Sequence, residues 1–465
     1  MGRLRIYPVL FGTLIVFGIL FWEQMSPYFW NGTTVSWVET AEPMKAVMFP
    51  LRTAVSTVQQ AEREKAELSK ENQDQGVGLY QWKSFLQNSI ETQAGQMLIV
   101  GLVDQNPSQE LKEFLEAVRP GGFVLFRRNY KTVRQLQTLI QFLHQTSLTY
   151  SETVPLIAID EEGGTVTRLP WKNKLPSAHL LAQVNQPELT KAFGQEVGKV
   201  LTNFGINVNF APVLDLSKPD QFLKTRSYGD DQEIVERHGL AYAQGLTDSG
   251  IIPVAKHFPG LSPSKKDPHH DKTKHIYKGK EDFLEEVSPF YKFSKTYSAS
   301  GVMLSHTIYP QFNAQKSAVM SSELISYLKK DLKFRGVVIS DDLQMQGISY
   351  APENGETRVQ TIVKKSFAAG CDMMMLSYSK KDQRQAHQIL MEMLMRVENK
   401  ALGQEKLARI LGIKNHILQQ TMSQRKPASE QRSKPQVSIV DEKMSSPGLD
   451  ALHAQLQQHL KKLRR

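Results

Sequence analysis

Eight apolar, β-rich runs alternate with amphipathic helical patterns between residues 91 and 420, and this alternation predicts an α/β fold built as a (β/α)8 TIM-type barrel. The runs read as continuous apolar stretches, as strands buried on both faces of a parallel sheet must. Carboxylates, histidines and lysines gather where successive runs end, and a barrel brings all such ends to one rim. An N-terminal transmembrane helix and a helical stalk are predicted before the barrel, and a basic tail after it.

The strand candidates are Met97–Gly101, Phe123–Phe126, Pro155–Asp160, Ile206–Pro212, Ile251–Lys256, Gly301–Ser305, Gly336–Ser340 and Met373–Ser377. The helical patterns between and after them are Leu111–Val118, Val133–His144, Glu188–Phe204, Ile234–Thr247, Phe283–Thr296, Ser322–Leu332, Arg358–Ala368 and Gln383–Val397. The polar ends are Asp160 after the third run, Asp215 after the fourth, Lys256 and His257 after the fifth, His306 after the sixth, and Asp341 and Asp342 after the seventh. One such residue is as readily a cap or a salt bridge as a functional group. Five successive ends of this kind point to a site.

Apolar residues make up 40% of the 465 and charged residues 22%, which suits a globular body rather than a disordered chain. A single cysteine, Cys371, excludes an internal disulfide framework and a cysteine-only metal cage. It precedes the apolar run Met373–Leu376 and is expected to be a buried, inert thiol.

Residues 1–30 read as a membrane anchor. Arg3 and Arg5 precede the uncharged segment Ile6–Trp22, which would span roughly 26 Å as a helix at about 1.5 Å per residue. Trp22, Tyr28, Phe29 and Trp30 suit the interface. Glu23-Gln24-Met25-Ser26-Pro27 offers no small-x-small cleavage site, so an uncleaved anchor is expected rather than a signal peptide. The preceding arginines stay in the cytoplasm, which puts the remainder on the extracytoplasmic side. Residues 31–90 form a stalk or linker, with a thin apolar stripe through Leu51, Val55, Val58 and Leu68.

The tail, 421–465, is basic, with nine Lys/Arg against four Asp/Glu, half of the chain's +10 excess. Its first part has the composition of disorder. Leu449, Leu452, Leu456, Leu460 and Leu463 then recur at helical spacing. Such a helix suits an anionic lipid surface or a protein partner, or packs back on the barrel. Nucleic acid is not expected, because the basic excess is terminal and not interleaved with aromatics.

Three segments at strand ends carry a family resemblance. They are Lys256-His257-Phe258-Pro259-Gly260 followed by Asp267-Pro268-His269; Ile159-Asp160-Glu161-Glu162-Gly163-Gly164 with Arg168; and Ile339-Ser340-Asp341-Asp342-Leu343-Gln344-Met345. Together they resemble the single-domain β-N-acetylglucosaminidases of glycoside hydrolase family 3, over roughly residues 92 to 415. The resemblance implies that Asp341 is the nucleophile and that His269, paired with Asp267, is the acid/base. From the residues alone, Asp341 and Asp342 are not distinguished; a cap or salt-bridge role is expected for Asp342. Asp267 beside an imidazole raises its pKa and fixes its tautomer. The resemblance further implies a sugar subsite of Asp160, Arg168, Arg226, Lys256 and His257. Arg168 and Arg226 are equally suited to salt bridges with Asp160 or Asp215. Gly163-Gly164 would let the backbone pass close to a ligand.

The loop departs from the family pattern. Leu261-Ser262 follow Gly260 where His-Gly is usual, and Pro268 stands where Ser is usual, which restricts Asp267 to extended conformations. His270 stands beside His269 as a substitute. A metal reading of His269-His270-Asp271 with His275 is set aside, since adjacent histidines rarely point at one ion.

The implied function is a retaining exo-glycosidase that needs no cofactor and releases terminal β-linked N-acetylglucosamine from peptidoglycan fragments. It would be held on the outer face of the cytoplasmic membrane. The alternatives are a β-glucosidase-like enzyme of the same family and a non-catalytic peptidoglycan-binding membrane scaffold.

Overall fold

The computed structural model describes residues 85–465 except 219–220, 262–271, 313–315, 349, 351–354, 424–437, 441–442 and 464–465. The expected anchor at Ile6–Trp22, and the expected stalk at 31–90 up to residue 84, lie outside the described residues. Among the described residues no helix is long and apolar enough to cross a membrane.

Eight parallel strands close into a barrel in sequence order: β1 Leu98–Gly101, β2 Gly122–Leu125, β3 Leu156–Ile159, β4 Val208–Asn209, β5 Ile252–Phe258, β6 Gly301–Leu304, β7 Val337–Asp342 and β8 Met373–Leu376. Each falls within or overlaps one expected run. Closure is made by β1 against β8, with Leu98 opposite Met374 and Val100 opposite Leu376. The strands are buried almost throughout, which is why they read as continuous apolar stretches. The fourth is shorter than its run. Asn207 and Asn209 take over part of its ladder with side chains: Asn207 bridges the Ile157 amide and the Pro155 carbonyl, and Asn209 bridges the amide and carbonyl of Glu161.

The helices are α1 Ile90–Gln96, α2 Gln109–Val118, α3 Val133–Ser151, α4 Ala178–Val184, α5 Pro187–Phe204, α6 Gln232–Asp248, α7 Lys280–Thr296, α8 Ser322–Ser326, α9 Arg358–Ala369, α10 Lys380–Met395 and α11 Lys400–Ser423. Side-chain caps fix many of their starts. Ser108, Thr132, Ser177, Asp231, Ser321, Thr357 and Ser379 each accept a backbone N–H in the first turn. The expected helix Ser322–Leu332 is one α-turn followed by a π-type segment, Tyr327–Asp331. Three helices had no counterpart in the sequence pattern: α1, α4 and α11.

Helix α11 carries two buried lysines beneath the sheet. Lys406 donates to the Cys371 carbonyl at 2.7 Å. Cys371 is buried, and burial pushes its thiol up to about 12, so it is inert as expected. Lys414 donates to Gln96 and to Thr153 Oγ1, two groups that also bond each other at 3.0 Å. Burial pulls the Lys414 ammonium down to about 7. The unfolded chain therefore binds this proton more tightly than the folded one between about pH 7 and the ordinary lysine range near 10.4. The destabilisation is fully present below pH 7 and fades as pH rises through that window. Lys414→Met removes it while leaving Gln96 and Thr153 paired. We expect a gain of about 2 kcal/mol in urea unfolding at pH 6.5, and a smaller gain at pH 9. A loss at both pH values would show that the two ammonium hydrogen bonds outweigh desolvation.

The tail resolves one choice left open by its sequence. A short antiparallel pair, β9 Ser438–Val440 and β10 Lys443–Ser445, leads into α12, Pro447–Leu463. Leu449 and Leu456 are buried in the barrel's own core cluster, with Leu452 and Leu460 partly buried against it. Helix α12 packs back on α4 and α5.

Candidate active site

The segment leaving β3 presents three successive carboxylates, and an extended chain sends alternate side chains to opposite sides. Asp160 and Glu162 meet the same ammonium: Lys256 Nζ lies 2.8 Å from Asp160 and 2.6 Å from Glu162. Arg168 adds a second contact to Asp160 at 3.0 Å. Arg226 binds Glu162 through two parallel hydrogen bonds of 2.8 and 2.9 Å. Burial acts to raise both carboxyls, but the Lys256 and Arg168 charges on Asp160, and the Arg226 and Lys256 charges on Glu162, outweigh it and hold both below the usual carboxylate range. Two carboxylates and three cations thus form one ion-pair net at the rim. Asp160, Arg168, Arg226 and Lys256 were each expected in a subsite. Arg226 pairs with Glu162 rather than with Asp160 or Asp215.

Glu161, between them, turns the other way. It is fully buried and accepts hydrogen bonds from the amides of Arg168 and Leu169 and from the Trp171 indole. Burial pushes its carboxyl up to about 7 despite these donors. It fixes the segment that carries Arg168. The glycines that follow have a packing reason. Gly163, at φ +89°, would place a Cβ 2.2 Å from the Pro176 carbonyl.

His257 belongs to a second pair. Asp215 is wholly buried, accepts from His257 Nδ1 at 2.8 Å and from the His257 amide at 3.1 Å, and receives the Leu261 amide at 2.7 Å. One carboxylate therefore orients the imidazole and roots the loop that follows β5. At that root Gly260, at φ +147°, leaves room only for hydrogen: a Cβ would meet the Glu286 carboxylate at 2.3 Å. Leu261, where the family pattern has histidine, is buried against Val213 and Leu223. The far end of the loop is held by Thr273, which bonds Thr307 at 2.8 Å, and by the His275 amide on the Ile308 carbonyl at 2.9 Å. His275 pairs with Glu286 at 3.3 Å and sets its ring edge-on to Tyr277, so its partners are protein groups. Asp267, His269, His270 and Asp271 lie outside the described residues.

Strand β7 ends in Asp341 and Asp342. Asp341 is part-exposed and its Oδ1 receives the Asp342 amide at 2.8 Å. Asp342 is buried, and its carboxyl accepts the amides of Gln344 at 3.0 Å and Ser377 at 3.3 Å. Burial and the neighbouring Asp341 charge push Asp342 up to about 6. Asp342 therefore ties β7 to the end of β8; among the described residues it is neither the helix cap nor the salt-bridge partner expected of it. His306, two residues past β6, donates from Nε2 to the Asp342 carbonyl at 2.9 Å, which leaves Nδ1 as the acceptor in the neutral ring. Burial lowers its pKa, against the pull of Asp341. The Arg358 charge acts in the same direction as burial.

Sequence reasoning missed Glu162, Glu161 and Arg128. The first two were legible as an Asp-Glu-Glu run whose odd and even members must face apart. Arg128 was not. Its guanidinium lies 4.2 Å from the Phe126 ring centre and 4.6 Å from that of Tyr378, and bonds the carbonyls of Leu102 and Ser377. Those partners stand just past the ends of β1, β2 and β8, which meet only when the barrel closes.

A barrel whose C-terminal rim holds a part-exposed carboxylate, and a net of two carboxylates and three cations, fits a hydrolase of the glycosidase class. The family model described as glycosyl hydrolase family 3 N terminal domain matches residues 89–413. The chain belongs to that family. It is a glycoside hydrolase of the β-N-acetylhexosaminidase type. It is 32% identical over 282 residues to a β-hexosaminidase of Glaesserella parasuis, covering 60% of this chain and 80% of that one. A Psychromonas ingrahamii β-hexosaminidase is 32% identical over 271 residues, covering 57% and 78%. Among solved structures, a family 3 β-N-acetylglucosaminidase from a Paenibacillus strain superposes with a TM-score of 0.68 at 26% identity, covering 80% of this chain and 69% of the other. A β-N-acetylhexosaminidase from Beutenbergia cavernae gives 0.64 at 25% identity, covering 70% and 98%.

Proposed function

We propose that this protein is a retaining exo-β-N-acetylglucosaminidase that acts on peptidoglycan fragments by double displacement. The observation that carries the reading is Asp341, a part-exposed carboxylate held at the end of β7, on the same rim as the Asp160–Lys256–Glu162 net. In the first step the Asp341 carboxylate attacks the anomeric carbon, and the leaving oxygen takes a proton from His269. In the second, His269 removes a proton from water, which displaces Asp341 and releases the sugar with its configuration retained. Asp267 supports the imidazolium. Ionised Asp160 can only accept, so it takes sugar hydroxyl hydrogens. Arg168, Arg226, Lys256 and His257 hold the carboxylates in place and present donors to the ring.

Two measurements test this. Proton NMR of the first product from an aryl β-N-acetylglucosaminide should show the β-anomer before mutarotation; an α-anomer rules out double displacement. His269→Ala should slow substrates with poor leaving groups by about 10²-fold or more, and activated aryl glycosides far less, because only the former need the proton. Equal slowing of both removes His269 from the acid role.

The Arg3/Arg5 flank and the uncharged Ile6–Trp22 segment support a single-pass anchor, with the barrel on the extracytoplasmic side of the cytoplasmic membrane. External protease should then digest the barrel in spheroplasts; complete protection places it inside.

A further inference from the structure

Residues 443–463 follow the end of the family match and serve none of the steps above, yet they grip the segment that carries Arg168. Met444 is buried and pairs with that segment through main-chain hydrogen bonds on both sides: its amide donates to the Pro170 carbonyl at 2.8 Å, and its carbonyl receives the Lys172 amide at 2.8 Å. Between those two residues stands Trp171, whose indole donates to Glu161 at 2.6 Å. Glu161 in turn receives the Arg168 amide, and Arg168 binds Asp160. Helix α12 adds side-chain grips further along. Asp450 accepts from Asn173 at 2.9 Å, and the two ring nitrogens of His453 face the carbonyls of Lys174 and Leu449 at 2.9 and 2.8 Å. Beneath, Ser446 bonds Glu196 at 2.7 Å, and Leu449 and Leu456 are buried in the core.

We infer that the C-terminal strand and helix, residues 443–463, are a strap that positions the 168–174 segment, and through it Arg168 and Asp160, for substrate binding. The segment is clamped from inside by Glu161 and from outside by Met444. Releasing the outer clamp frees it to sample other conformations, and substrate affinity falls by the fraction of time the segment is misplaced. Met444, Asp450, Leu449 and Leu456 act through Arg168 and Asp160, so they are positioning residues. This inference rests on the proposed sugar-binding role of Asp160 and Arg168.

The test uses the full chain and two variants of different severity: Leu449→Asp/Leu456→Asp, which undocks the helix, and Asp450→Ala, which removes one grip. Amide hydrogen exchange reads the strap and residues 168–174 separately, and KM and kcat are measured on an aryl β-N-acetylglucosaminide. For the double variant we expect faster exchange in both segments, a rise in KM of about fivefold or more, and kcat within about threefold. Asp450→Ala should move KM the same way by less. A strap that exchanges freely while residues 168–174 and KM stay unchanged overturns the inference. So does a fall in kcat that follows the folded fraction at constant KM, since the tail then only stabilises the barrel. Asp160→Asn is the control for the underlying reading: if it leaves KM unchanged, the subsite assignment fails, whereas the exchange in 168–174 still reports on the strap.

Discussion

Asp341→Asn is expected to lower kcat on an aryl β-N-acetylglucosaminide by at least about 10³-fold, equivalent to about 4 kcal/mol of lost transition-state stabilisation. An amide does not attack the anomeric carbon, so no later step replaces it. The fold should be untouched. Asp341 is part-exposed, and an asparagine oxygen still accepts the Asp342 amide. An unchanged melting midpoint with lost turnover is the expected pair of results. Asp342→Asn separates the two aspartates. Its carboxyl accepts two main-chain amides, which an asparagine oxygen can also do, so activity should stay within about tenfold of the wild type. If Asp342→Asn were the dead variant and Asp341→Asn the active one, the nucleophile would be misassigned.

Lys256→Met should damage both stability and binding. The ammonium is nearly fully buried and serves two carboxylates at once, the buried Glu162 and the part-buried Asp160. Its removal leaves Asp160 to Arg168 alone and Glu162 to Arg226 alone, with the two carboxylates repelling each other. We expect a loss of about 3 kcal/mol at pH 7 in urea unfolding, and a fall in kcat/KM of about 10²-fold or more. The pH dependence has a definite sign. Asp160 and Glu162 have folded pKa values below the ordinary range, so the stability they contribute is present above about pH 4 and is lost as pH falls through the depressed values. The gap between wild type and variant should therefore be widest near neutrality and narrow below pH 4. A gap that widens in acid would mean that Lys256 does not hold these carboxylates ionised. Lys256→Arg is not expected to rescue, because a planar guanidinium does not fit the place of a compact ammonium shared by two carboxylates.

The barrel was readable because parallel strands buried on both faces leave short unbroken apolar runs, such as Val337–Ile339 and Met373–Leu376, and eight of them alternate with amphipathic helical patterns. Boundaries were less so. The fourth strand shortens to Val208–Asn209 because asparagine side chains replace backbone partners, which no hydropathy pattern records. The site was readable where charged residues stand at strand ends that a barrel brings to one rim: Asp160 and Lys256 meet there, and Arg168 joins them. It was misread where two acceptors compete. Arg226 had Asp160 and Asp215 as expected partners, yet Glu162 takes both its hydrogen bonds, and Asp215 is spent on His257 and on the Leu261 amide. The tail's leucine spacing predicted a helix but not its seat, since an apolar stripe suits lipid, partner or barrel alike until Leu449 and Leu456 are found in the core.

By itself the sequence determined the order and number of barrel strands, and which charged residues stand at their ends, because both follow from spacing along one chain. Only the tertiary structure decided which cation neutralises which carboxylate, that Glu161 faces away from its neighbours, and that residues near the C-terminus hold a loop that follows the third strand. Pairing energies depend on distances across the barrel and on burial, and neither quantity exists until the strands have closed.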